Sequence, residues 1–255
     1  MKLGYWKPKT VSEALHLASE HEGARFLAGG TELQRLGCPV AASGYIDLKD
    51  VGLDSIHVDA KGIHVGAMVT FTQALENELV PQDLKTALRF MGSMPKRNMA
   101  TIGGNVMRLG SDSYLAPTLA AFRAKLVFLT EQGKQTRSFG QLGPGCGSGF
   151  LLKEIVLDPK RRVVSRRFAN TQESHAAVTV ALGCGENGSD LCAACALRGS
   201  SLQILEKSIK ALGSRASFHA SLEDELKAVT DLTGSAAYKR YLVEECLWDL
   251  AKEQG

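Results

Sequence analysis

The sequence lacks the features of several protein classes. No stretch approaches the roughly 20 apolar residues that a membrane-spanning helix needs, and residues 1–8 lack the apolar core of a signal peptide. Charge of one sign is also scarce, since 30 basic and 27 acidic residues leave a net charge of only +3. Nucleic-acid binding requires a concentrated positive field. We therefore expect a cytoplasmic protein that binds no nucleic acid and inserts into no membrane.

Motifs for nucleophilic and metal chemistry are missing as well. The chain contains no G-x-S-x-G elbow, no P-loop lysine and no H-E-x-x-H spacing among its six histidines, which we interpret as surface or half-buried residues. The six cysteines lie mostly in apolar surroundings, which is typical of free thiols in a reducing compartment. We predict no catalytic residue and no metal site. Such a chain is expected where a bound cofactor carries the chemistry.

Two glycine pairs are the most informative features that are present. The first, Gly29-Gly30, follows a short apolar strand, and the second, Gly103-Gly104, lies about seventy residues further along the chain. Glycine has no Cβ, so such segments let backbone N–H groups approach a large anionic ligand closely. Together the pairs predict a dinucleotide cofactor.

Hydrophobic periodicity and capping signals predict an alternation of helices and strands. The predicted helices cover about 11–21 and 70–79, each after a capping box, then 84–91 and 117–124, and the chain is helical again from about 221 to its end. The predicted strands cover 25–28, 45–48, 63–65, 125–130 and 151–157, with more strands beyond 162. Residues 132–149 are rich in glycine and predict a loop, either a simple surface segment or one that covers a site.

A third glycine cluster, residues 183–188, has the G-x-G-x-x-G pattern of a dinucleotide-binding loop after an apolar strand. Its Asn187-Gly188 step is a strong hairpin signal, and the segment that follows is too short for the helix of such a site. We favour the hairpin over a stand-alone NAD-binding dehydrogenase. If the segment after the turn is a strand, Cys192 and Cys195 point to opposite faces and cannot share a metal or form a disulfide. If it is a helix, the two cysteines share a face, and a redox function becomes possible.

The residues around both glycine pairs resemble a known family. Residues 27–33, L-A-G-G-T-E-L, and 97–105, R-N-M-A-T-I-G-G-N, are similar to two loops of the FAD-binding medium subunit of molybdenum hydroxylases, the group of xanthine dehydrogenase and carbon monoxide dehydrogenase. Residues 65–70, 115–121 and 234–240 also resemble segments of that family. The resemblance covers nearly the whole chain.

The resemblance implies an α+β fold with two domains. Residues 1–160 correspond to a two-lobed FAD-binding domain of the molybdopterin dehydrogenase (PCMH-type) class, with lobes at about 1–55 and 56–160. Residues 161–255 correspond to a smaller α+β domain with antiparallel strands and helices. The resemblance implies that FAD lies between the lobes, with its diphosphate on 28–32 and 101–105. It also implies hydroxyl donors at Thr31 and Thr101, and a contact of the Asn105 amide with the ribityl chain. The implied cofactor-binding residues are Leu27, Ala28, Gly29, Gly30, Thr31, Glu32, Leu33, Ala67, Thr101, Ile102, Gly103, Gly104, Asn105, Asp112, Tyr114, Leu152 and Arg167.

The resemblance also implies electron transfer within a heteromeric complex. Electrons pass from a molybdenum cofactor-binding subunit through the [2Fe–2S] clusters of an iron–sulfur subunit to FAD, and from FAD to NAD or another acceptor. The substrate is chosen by the molybdenum subunit.

The chain departs from the family pattern after the second glycine pair. Tyr114 stands where the family usually has an aspartate directed at the ribityl chain of the flavin, and Asp112 lies two residues earlier. Arg166 and Arg167 match a basic position at the start of the second domain, whereas Asn170 replaces a second one. These departures leave an alternative function: a degenerate, weakly flavin-binding subunit that serves as a structural bridge in such a complex.

Overall fold

The computed structural model describes residues 3–33, 41–108, 113–142, 149–172 and 174–254, in an α+β arrangement. The elements in chain order are β1 (Gly4–Trp6), α1 (Val11–Glu20), β2 (Ala24–Leu27), β3 (Gly44–Asp47), β4 (Ile56–Asp59), β5 (Gly62–Gly66), α2 (Phe71–Glu76), α3 (Gln82–Arg89), α4 (Met94–Met99), α5 (Ile102–Arg108), α6 (Ala116–Ala121), β6 (Lys125–Thr130), β7 (Gly133–Arg137), β8 (Leu151–Leu157), β9 (Arg162–Phe168), β10 (Val178–Cys184), β11 (Cys192–Leu197), β12 (Leu202–Ile204), α7 (Glu206–Lys210), α8 (Arg215–Glu225) and α9 (Ala236–Gln254).

The chain divides into two compact units. The first contains residues 1–79, 93–108 and 125–157, and the second contains 80–92, 109–124 and 158–255. None of the helices in the described part of the chain is long and apolar enough to cross a membrane.

The first unit begins with a small parallel sheet in the order β1-β3-β2. Helix α1 buries Ala14 and Leu15, and the Thr10 side chain caps it by accepting the N–H of Glu13. The carboxylate of Glu13 accepts the N–H of Lys9 at 2.8 Å, one residue before the position that the predicted capping box requires. Strand β2 ends at Leu27, which places the first glycine pair directly at the carboxyl end of a strand.

The second sheet of this unit has five antiparallel strands in the order β4-β5-β8-β6-β7, and the unit also contains α2, α4 and α5. Strand β8 has the predicted bounds within one residue, and the predicted capping box of α2 is present at Thr70. The predicted loop at 132–149 is wrong in its first part, because residues 133–137 pair with β6 as a hairpin strand. Gly133 makes that turn with φ +119°, and residues 143–148 lie outside the described part of the chain.

In the second unit, an antiparallel sheet has the order β12-β11-β10-β9. Strands β10 and β11 are buried at every residue, because α6 contacts them in addition to the core formed with α8 and α9. This explains why both strands are continuous apolar runs rather than alternating ones. The helical region also starts earlier than predicted, with α7 at Glu206, and residues 226–235 separate α8 from α9.

The hairpin prediction for the third glycine cluster is confirmed. Asn187 and Gly188 have φ +58° and +71°, and β10 and β11 pair antiparallel across the turn, so a dinucleotide-binding helix is absent from this described segment. The two nearby cysteines lie on opposite faces as predicted. Cys195 belongs to the core beside α8 and α9, whereas the Cys192 thiol donates to the carbonyl of Ala120 at 3.5 Å.

Candidate functional site

The two segments that contain the glycine pairs contact each other in the first unit. A Cβ on Gly29 would lie 1.7 Å from the carbonyl oxygen of Met99, so only glycine allows the chain to pass there. A Cβ on Gly104 would lie 3.7 Å from the Cβ of Ala28. The structure therefore brings the predicted residues at 27–33 and 101–105 to one place, although they are distant in the sequence.

The first segment leaves a run of backbone donors unused. The N–H groups of residues 28–31 donate to no other residue that the structure describes. Gly30 has φ +69°, in the left-handed region that favours glycine. Residues 28–33 are all half-buried. A run of unpaired N–H groups in such a turn forms a concave site for an anion, so this segment has the donor set that a phosphate group requires.

The second segment differs from the prediction, because it is the start of helix α5 and its N–H groups are already used. The N–H of Ile102 donates to Val69 O at 2.9 Å, and that of Gly103 donates to Ala67 O at 2.8 Å. The N–H of Gly104 donates to Thr101 Oγ1 at 3.0 Å, and that of Asn105 donates to the carbonyl of Thr101. The prediction that both glycine pairs offer backbone N–H groups to a ligand is therefore wrong for the second pair.

The two glycines of the second pair have separate roles. Gly103 is buried, and a Cβ there would lie 2.6 Å from the Cβ of Ala67, so this glycine allows close packing within the protein. Gly104 is exposed. Thr101 is only 3% exposed and its hydroxyl oxygen caps the helix, which corrects its predicted role as a surface donor. The segment offers a flat surface at Gly104 and, beside it, the half-buried Asn105.

The other predicted residues of this unit form the framework of the site. Leu27, Ile102 and Leu152 are buried. Ala67 lies between two elements, because its N–H donates to the carbonyl of Lys153 in β8 at 2.8 Å and its carbonyl accepts from Gly103. The carboxylate of Glu32 lies 3.3 Å from the guanidinium of Arg108, an ion pair that joins the first segment to the end of α5.

Tyr114 and Arg167 belong to the second unit and contact each other. The guanidinium carbon of Arg167 lies 5.5 Å from the centre of the Tyr114 ring, within the range of a cation–π interaction. The guanidinium also donates to the carbonyls of Thr171, at 3.4 Å, and Ser174. Sequence analysis did not predict this contact, since no spacing rule joins the two residues. Asp112 lies outside the described residues.

With this geometry established, comparison with known proteins identifies the family. Residues 1–158 match the family described as the FAD binding domain in molybdopterin dehydrogenase. The chain belongs to this family. Its cofactor is accordingly FAD, and it is an oxidoreductase subunit. The observed site fits that cofactor, because N–H groups at 28–31 without a partner among the described residues, and a surface without a Cβ at Gly104, suit a diphosphate.

The chain is also similar to individual proteins in sequence or in fold. The uncharacterized protein YgfM of Escherichia coli K12 is 27% identical over 96% of this chain and 94% of its own length. The aldehyde oxidoreductase FAD-binding subunit PaoB of the same organism is 37% identical over 41% of this chain and 35% of its own length. A subunit of carbon monoxide dehydrogenase from Oligotropha carboxidovorans shares the fold, with a TM-score of 0.87 at 19% identity over 100% of this chain and 99% of that one. The predicted α+β fold class is therefore confirmed.

Proposed function

We propose that this chain is the FAD-binding, electron-transfer subunit of a molybdenum hydroxylase complex. In this proposal it takes electrons from [2Fe–2S] clusters of a partner subunit and passes them through FAD to NAD or another acceptor. The run of unpaired backbone N–H groups at 28–31, against the exposed Gly104, carries the proposal. The names of two relatives support it: PaoB, and the xanthine dehydrogenase FAD-binding subunit of Escherichia coli O157:H7, 24% identical over 64% of this chain.

The residues of the first unit bind and orient the cofactor. The N–H groups at 28–31 would donate to diphosphate oxygens, and the left-handed conformation of Gly30 would direct neighbouring donors to one side. The ion pair of Glu32 with Arg108 holds this turn against α5. Asn105 lies beside Gly104 and offers an amide to the ribityl chain. When bound, FAD supplies the ability to accept electrons singly and to release them as a pair.

We also propose how the chain divides into two functional domains. Residues 1–160 form the cofactor-binding domain, and residues 161–255 form the C-terminal domain. Either Tyr114, whose ring contacts the guanidinium of Arg167, or Asp112 would replace the aspartate that the family usually directs at the ribityl chain. An iron–sulfur subunit and a molybdenum subunit are the expected partners.

A matched pair of glycine variants tests the cofactor site. Gly30 and Gly52 have φ +69° and +75°, so alanine at either position costs roughly 1–2 kcal/mol of left-handed strain. A Cβ on Gly52 meets nothing within 4 Å. We expect both variants to lose similar stability in urea, whereas only Gly30→Ala weakens FAD binding, by at least about tenfold, in a fluorescence titration.

The outcomes separate the competing functions. Equal FAD affinity in both variants would overturn the placement of the diphosphate at 28–31. A folded wild-type chain that takes up no FAD after reconstitution would instead support the structural-bridge alternative. Isolation of the chain from its own cells together with an iron–sulfur protein and a molybdenum protein supports the electron route, and rapid reduction of its flavin by substrate in that complex tests the route directly.

A further inference from the structure

A buried histidine in the first unit has one ring nitrogen paired and one unpaired. His64, in β5, is only 5% exposed, which corrects the prediction that the histidines are surface or half-buried. Its Nε2 lies 2.9 Å from Oδ1 of Asp59. Its Nδ1 is buried and has no hydrogen-bond partner in the part of the chain that the structure describes. An unpaired buried nitrogen is costly, so its presence requires an explanation.

Two further metal-ligating side chains lie beside this nitrogen. Oε1 of the buried Glu154 is 3.4 Å from His64 Nδ1. His57 is directly opposite His64 in the β4–β5 register, and the two rings stack with centroids 4.6 Å apart. One potential ligand atom from each of the three residues lies within 4.8 Å of the others. Three neighbouring strands thus place two imidazoles and one carboxylate on the same face of the sheet.

The hydrogen bond of His64 agrees with a ligand role for its Nδ1. When Nε2–H donates to a carboxylate, the lone pair of the neutral ring is on Nδ1, which faces Glu154. Histidines that bind metals usually donate their other N–H in this way, because the partner fixes both tautomer and ring orientation.

We propose that His57, His64 and Glu154 bind a divalent cation of the zinc class, with Asp59 as the positioning residue behind His64. Two imidazoles and one carboxylate are a donor set that proteins use for zinc, and three protein ligands leave a position for water. His57 is exposed, which gives an ion access from solvent. The amines of Lys153 and Lys134 lie 3.3 and 3.9 Å from Glu154 oxygens, and both side chains are exposed enough to turn outward when the ion binds.

The test uses the full chain in its FAD-loaded form, produced without a histidine tag, stripped with a chelator and titrated calorimetrically with Zn²⁺. We expect one equivalent to bind, and Co²⁺ in its place to give the visible absorption of a site with mixed nitrogen and oxygen ligands. His57→Gln, His64→Gln and Glu154→Gln should each weaken Zn²⁺ binding by more than about 100-fold, and Asp59→Asn by about 10- to 100-fold.

His219→Gln is the matched control. It also removes an exposed histidine beside a carboxylate, since His219 Nδ1 lies 2.9 Å from Glu244 Oε2, and it should leave Zn²⁺ binding unchanged. His57 is on the surface, so His57→Gln should fold even where the buried variants do not. Unchanged Zn²⁺ affinity in a folded His57→Gln variant would overturn the site, as would a wild-type chain that binds no stoichiometric Zn²⁺. None of these outcomes depends on electron transfer.

Discussion

Substitution of Gly104 should separate cofactor binding from folding. Gly104 is exposed in the first turn of α5, and alanine there gains roughly 0.5–1 kcal/mol over glycine in a helix. The added Cβ would lie 3.0 Å from Thr101 Oγ1, so that side chain must move by a few tenths of an ångström, which offsets part of the gain. We therefore expect Gly104→Ala to change the free energy of unfolding by less than about 1 kcal/mol.

The same methyl group stands on the exposed surface where we propose that the diphosphate binds. We expect Gly104→Ala to raise the Kd for FAD at least about tenfold, or about 1.4 kcal/mol, and the larger Gly104→Val to raise it further. Flavin fluorescence titration measures the affinity, and urea unfolding of the cofactor-free chain measures the stability. We expect the Kd for FAD to rise while the free energy of unfolding stays nearly unchanged.

Gly213 supplies the control for this experiment. It is also exposed, and a Cβ there meets nothing within 4 Å, so Gly213→Ala and Gly213→Val should leave FAD affinity unchanged. A folded Gly104→Val chain that retains stoichiometric FAD would refute the proposed position of the diphosphate. If Gly104→Ala lost stability and FAD affinity in parallel, the residue would act through the helix and not through the exposed surface.

Two further predictions concern the second unit. Lys239 is fully buried with its amine 2.9 Å from Oδ1 of Asp231, so Lys239→Met should lower the free energy of unfolding by about 3–5 kcal/mol, measured in urea. Burial raises the pKa of Asp231, but hydrogen bonds from Thr233 and Lys239 outweigh this and hold it at about 2. Because the pKa of Asp231 is lower in the folded chain, its stabilising effect is complete above the unfolded pKa of about 3.9 and is lost as the pH falls toward 2. If Lys239→Met left the acid-unfolding profile unchanged, this role of the Asp231–Lys239 pair would be contradicted. Tyr114→Phe should keep the ring beside Arg167 and leave the free energy of unfolding unchanged, whereas Tyr114→Leu should lower it by about 0.5–1 kcal/mol. Equal FAD affinity in the wild type and in Tyr114→Phe would exclude a contribution of the hydroxyl group to cofactor binding.

The structure shows which hydrogen bonds the C-terminal motif makes. Residues 234–240 were identified only by resemblance. In the structure, the N–H of Tyr238 donates to Ser235 Oγ at 3.1 Å at the start of α9, and the next residue, Lys239, donates to the carbonyls of Arg198 and Val229. The motif therefore joins the start of α9 to the turn at Arg198 and to the segment that connects α8 with α9. These bonds give it a structural role within the second unit.

Local chemistry made much of the fold predictable. Strand β8, the capping box at Thr70 and the hairpin at Asn187 each depend on a few consecutive residues, and each was predicted correctly. The opposite orientations of Cys192 and Cys195 followed from strand geometry alone. The loop predicted in place of β7 was wrong, because this polar segment forms a strand only through its hairpin pairing with β6, which its own residues do not signal.

The family-specific pattern around two glycine pairs was enough to identify an FAD-binding chain. The inequality of the two pairs appears only in the folded chain. Within the described residues, the N–H groups at 28–31 have no partner, whereas Ile102, Gly103 and Gly104 donate to Val69, Ala67 and Thr101. The cluster around His64 was also not predictable, because its three side chains come from three strands. Hydrogen bonding and proximity between distant segments are properties of packing, and no local pattern encodes them.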